Sequence, residues 1–81
     1  GARLKMLADD KATGPLRRLE SLEAVALGID GKHALWRALN AAAETTPALR
    51  ARDYDQLAAR AIEQRNRVEA LRLEAAKQAL A

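Results

Sequence analysis

His33 is the side chain best suited to chemistry in this chain, because it is the only histidine and cysteine is absent. With Asp30, Glu23 and a second-helix carboxylate such as Glu63 or Glu69, it could form a carboxylate-bridged di-metal site in a dimeric helical bundle. Such a site needs inward-facing carboxylates, whereas helical spacing places Asp30 and Glu23 on a polar side. We therefore expect no cofactor and a buried or interfacial, hydrogen-bonded His33, which remains the one candidate metal ligand.

The other patterns that enzymes use are incomplete here. Gly31-Lys32 would suit a phosphate-binding loop, but Ala26 stands where the first glycine is required, and His33 replaces the serine or threonine. Ser21 has no base near it in sequence, and acyl transfer needs a nucleophile, a base and an orienting group together. We therefore expect a protein without catalytic residues that is not an enzyme.

Composition predicts an all-α fold in one small domain. The chain has 81 residues, with 20 alanines and 13 leucines against two isoleucines, two valines and no phenylalanine. Alanine and leucine favour helices, whereas the scarcity of β-branched and aromatic residues disfavours a sheet. We divide the chain into an N-terminal arm or short helix, residues 1–14, and a helical hairpin domain, residues 15–81.

The first long helix is predicted from residue 15 to about 44. Gly28 and Gly31 could interrupt it, with Asp30 capping a new helix, but the polar and apolar faces keep their phase across both glycines. One apolar face carries Leu19, Leu22, Ala26, Ile29, His33, Trp36 and Ala43. A flank beside Leu35 carries small residues, which would allow another helix to approach closely; they are Ala24, Gly28, Gly31 and Ala38, with Ala42 beyond.

The second long helix is predicted from about 53 to 80. Asp53 and Gln56 resemble a capping box, and a start at Thr46-Pro47 is the alternative. The helix has two apolar stripes, separated by Arg65, Glu69 and Arg72. One stripe contains Leu57, Ala61, Val68, Leu71, Ala75 and Ala79; the other contains Ala58, Ile62, Leu73, Ala76 and Leu80.

A hairpin of two such helices would bury one stripe of each and leave apolar surface exposed. We therefore expect a homo-oligomer, with a dimer that completes a four-helix bundle favoured, or another helical protein as partner. The residues expected in the core and interface are Leu22, Ile29, Trp36, Leu57, Val68 and Leu71. The predicted function is a non-enzymatic, self-associating interaction or assembly module.

Nucleic-acid binding is the alternative function. Arg17, Arg18, Arg50 and Arg52 could contact RNA or DNA phosphates, although acidic neighbours such as Asp53 argue for solvated charge. The net charge of +3 is spread along the chain rather than collected in a block. No apolar run approaches the roughly 18 residues of a membrane span, and no secretory leader is visible, so we expect a cytoplasmic protein without membrane contact.

Overall fold

Two long helices form most of the structure, a computed structural model that describes residues 14–80. Helix α1 is Gly14–Ala43, a 3₁₀ helix spans Pro47–Ala51, and helix α2 is Tyr54–Leu80. Residues 14–80 contain no strand. The predicted all-α hairpin is confirmed, with helix bounds within about one residue of those expected. Apart from Gly14, the predicted N-terminal arm lies outside the described residues.

Helix α1 continues through both of its interior glycines. Neither Gly28 nor Gly31 has a positive φ, and the helix is unbroken over 30 residues. A mid-helix glycine destabilises by only about 1 kcal/mol relative to alanine, so packing of the apolar face against α2 can hold it in the helix. All seven residues of the predicted apolar face are buried or half-buried: Leu19, Leu22, Ala26, Ile29, His33, Trp36 and Ala43.

Arg50 closes the C-terminal end of α1. Its Nε donates to the carbonyl oxygen of Ala43 at 2.7 Å, and its Nη2 donates to that of Glu44 at 2.7 Å. The last carbonyls of a helix have no partner within the helix, and they lie at the negative end of its dipole. The Arg50 guanidinium therefore donates hydrogen bonds to these carbonyls, and it places a positive charge beside the negative end of the helix dipole.

The chain then turns into α2 through a short helical segment. Pro47 begins the 3₁₀ helix, and Arg52 ends it in an extended conformation, with φ −121° and ψ 149°. Asp53 Oδ1 accepts the backbone N–H of Gln56 at 3.0 Å, as expected of the N-terminal cap. The alternative start at Thr46-Pro47 therefore marks a separate 3₁₀ helix rather than the beginning of α2.

Alanines dominate the contact between the helices. Within residues 14–80, six residues are buried, namely Ala26, Ile29, Ala43, Tyr54, Ala61 and Ala75. Near the connection, the ring of Trp36 stacks on that of Tyr54, with centroids 6.3 Å apart and planes inclined by 25°. Because alanine side chains are short, the two helices can lie close together along the rest of the contact.

Candidate interaction surfaces

Three polar contacts join α1 to α2 in one antiparallel register. Arg72 Nη1 lies 2.9 Å from Glu23 Oε1, and Arg65 Nε lies 3.0 Å from Asp30 Oδ1. Asn40 Nδ2 donates to Asp55 Oδ1 at 3.0 Å nearer the connection. The seven-residue spacing between the two acids on α1 equals the spacing between the two arginines on α2. These pairs were not predicted from the sequence, although the equal spacing of the acids and the arginines could have indicated them.

Glu69 joins both arginines into one charge cluster, defined here as Glu23, Asp30, Arg65, Glu69 and Arg72. Its carboxylate accepts Arg72 Nη2 at 2.6 Å and Arg72 Nε at 3.1 Å, and it also accepts Arg65 Nη1. The hydrogen bonds from Arg72, and then the one from Arg65, lower the pKa of Glu69 from 4.5 to about 2. Hydrogen bonding to Glu69 in turn raises the pKa of Arg72 and of Arg65.

The charge cluster contains three of the carboxylates that were considered as metal ligands. Asp30, Glu23 and Glu69 are each bound by an arginine, so each lies beside a positive charge that would repel a cation. Within residues 14–80, no group of three or more histidine and carboxylate side chains has an arrangement that could hold a metal ion.

His33 is half-buried in a shallow groove beside the charge cluster. The groove is lined by Ile29, Asp30, His33, Ala61, Ile62, Arg65 and Asn66. The hydrogen bond expected for the imidazole is not formed within residues 14–80. The ring therefore remains accessible from the groove.

Large apolar side chains remain on the outside of both helices. Seven of them are 47% to 71% exposed: Val25, Leu27, Leu35, Ile62, Leu71, Leu73 and Leu80. Among the predicted core and interface residues, Ile29 is buried, and Leu22, Trp36, Leu57 and Val68 are half-buried between the helices. Leu71 differs, because at 47% exposure it lies on the surface.

The small-residue flank of α1 faces away from α2. Ala24, Gly28, Gly31 and Ala38 are all exposed. A Cβ added at either glycine would meet nothing within 4 Å. The described part of the chain therefore supplies no helix against this flank, and the predicted close approach would have to come from elsewhere.

The four arginines of the nucleic-acid hypothesis do not form one patch. Arg17 and Arg18 lie near the start of α1, whereas Arg50 and Arg52 lie at the connection beyond its other end, about 40 Å away along the helix. Arg50 is bound to two backbone carbonyls, as described above. Arg17, Arg18 and Arg52 are exposed.

Neither α1 nor α2 could span a membrane. Over residues 14–80, no helix combines the length and the apolar character that crossing a bilayer requires. Comparison of the chain with protein-family models, curated proteins and solved structures found no match.

Proposed function

We propose that this chain is a non-enzymatic helical module that associates with copies of itself, with a dimer completing a four-helix bundle. The observation that carries the proposal is the imbalance between buried and exposed apolar side chains. In the part of the chain that the structure describes, four of the six buried residues are alanine, whereas seven large apolar side chains are about half exposed or more. Large exposed apolar area on a soluble protein is typical of a surface that a partner covers.

The small size of the domain supports the same proposal. A chain of this length buries only about 60% of its unfolded surface, and each buried Å² of apolar surface contributes about 25 cal/mol. Burying an alanine in place of leucine forgoes much of that contribution. Covering Ile62 and Leu73 with a second copy would add apolar burial that the single hairpin does not have.

Sedimentation velocity over a range of micromolar concentrations tests the proposal directly. We expect a dimer or a larger species that dissociates on dilution. Leu71→Asn and Leu73→Asn should each weaken association, because each removes an exposed leucine from the surface that a partner would cover. Ala70→Asn is the matched control on the same helix, since Ala70 is exposed and small, and it should leave association unchanged. A folded monomer at every concentration would contradict the proposal.

A further inference from the structure

The two broad sides of the hairpin, on either side of the contact between α1 and α2, differ in charge. The acidic side carries the charge cluster and a groove with Arg37, Glu44 and Asp55 in its lining. The basic side carries a groove with Lys32 and Arg60 in its lining. Trp36 lines both grooves, so they lie back to back across the hairpin.

Counting the charges gives opposite signs for the two sides. On the acidic side, the charge cluster has one more acid than base, and Glu44 and Asp55 outnumber Arg37. On the basic side, Arg67 follows Arg60 on the same face of α2 after seven residues, and neither forms an ion pair within residues 14–80. Glu74 continues this row towards the end of α2, so the positive charge is concentrated at the middle of the hairpin.

Each side also exposes large apolar side chains. Helical spacing places Ile62, Leu73 and Leu80 on the acidic side, at 49%, 49% and 71% exposure. It places Val25 and Leu71 on the basic side, at 48% and 47% exposure. Both sides therefore offer apolar surface to a partner, and they differ from each other in charge.

We propose that a second copy of this chain docks its acidic side onto the basic side of the first. This inference rests on the proposed self-association and specifies its geometry. Two identical sides facing each other would bring like charges together, which disfavours the contact, whereas opposite sides attract. Such a contact leaves one acidic and one basic side free on each dimer, so the dimer is the first step of an assembly that can add further copies.

Charge reversal of one side at a time tests the geometry. Lys32→Glu with Arg60→Glu reverses the basic side. Glu44→Lys with Asp55→Asn reverses the acidic side, and the asparagine keeps an oxygen that can accept the Asn40 amide. The control is Glu20→Lys with Glu63→Lys, because helical spacing places these exposed residues on the outer faces, away from both sides.

We expect each reversed variant to be monomeric where the unmodified chain associates, and an equimolar mixture of the two to associate again. The control variant should associate as the unmodified chain does. Loss of association in only one reversal would indicate contact between identical sides, and loss in neither would show that charge does not select the contact; either result would overturn the inference. A monomeric unmodified chain would instead refute the proposed self-association itself.

Salt dependence provides a second readout that needs no substitution. Raising sodium chloride from about 50 mM to about 500 mM shortens the screening length several-fold, so we expect the dissociation constant to rise at least tenfold. An unchanged or tighter dissociation constant would contradict charge-selected docking. Circular dichroism of every variant checks that lost association does not reflect lost folding.

Discussion

Arg72 on α2 binds Glu23 on α1 at 2.9 Å, and it lies seven residues beyond the Arg65 that binds Asp30. The two pairs therefore repeat after two helical turns on both helices. A slip of one helix past the other by a single turn would separate both pairs at once. Since four of the six buried residues within 14–80 are alanine and one alanine resembles the next, we expect these charge pairs, together with the stacked Trp36 and Tyr54, to favour one alignment of the helices.

Stability should depend on pH through Glu69. The folded-state pKa of Glu69 is about 2, below its ordinary value of 4.5, so its contribution is fully present above about pH 4.5. As the pH falls from there towards 2, the unfolded chain takes up a proton that the folded chain does not, and this contribution is lost. Urea unfolding at several pH values, at concentrations where the chain is monomeric, should show the decline.

Glu69→Gln is the matched control for this pH dependence. The glutamine keeps the shape of the side chain but cannot titrate, so the decline between pH 4.5 and 2 should become shallower. The variant should also be less stable than the unmodified chain at pH 7, because the two arginines lose their shared carboxylate. Equal pH slopes in the two proteins would contradict this account of the cluster.

Arg50→Ala should lower the free energy of unfolding by about 1–2 kcal/mol, since it removes two charged hydrogen bonds from the end of α1. Arg52→Ala makes a suitable comparison, because Arg52 is an exposed arginine two residues away with an extended backbone. That substitution should change stability by less than about 0.5 kcal/mol. Chemical denaturation of both variants measures the difference, and equal effects would show that Arg50 does not stabilise the helix end.

Gly31→Ala should stabilise the single hairpin by about 1 kcal/mol, because Gly31 lies in a continuous helix and an added methyl group meets no atom within 4 Å. Thermal melts at a concentration where the chain is monomeric should show the increase. The melts should be repeated at a high protein concentration, where copies associate. A gain in stability that disappears there would place Gly31 in a tight contact between copies. A loss of stability at low concentration would be inconsistent with the open flank.

Trp36 and Tyr54 should be energetically coupled. Their ring separation of 6.3 Å lies within the range in which aromatic pairs contribute about 0.5–1.5 kcal/mol beyond their buried area. A double-mutant cycle with Trp36→Leu and Tyr54→Leu measures this coupling. A second cycle that combines Trp36→Leu with Leu22→Ala should be additive, because Leu22 is about 21 Å from Trp36 along α1. Additivity in the first cycle would show that the stacked rings do not interact favourably.

The continuity of α1 could be predicted because polar and apolar residues keep the same phase on both sides of Gly28. The start of α2 could be predicted because Asp53 has the side chain that a helix N-terminus requires. Both are local properties, in which a few neighbouring residues decide the outcome.

The face that α2 turns towards α1 is not decided locally. The structure turns the first apolar stripe towards α1, and Arg65 and Arg72 beside that stripe reach the acids on α1. In this orientation Leu71 is 47% exposed. A stripe predicts that a helix buries an apolar face, but where the edge of that face falls also depends on the residues of the other helix.

The connection between the helices also favours one order of events in the folding of the hairpin. The contact between Asn40 and Asp55 closes a loop of about 15 residues, whereas that between Glu23 and Arg72 closes one of about 49. The longer closure costs about 1 kcal/mol more in chain entropy. Folding should therefore start around Arg50, Trp36 and Tyr54 and proceed outward, and amide hydrogens at the opposite end of the hairpin should exchange first with solvent deuterium.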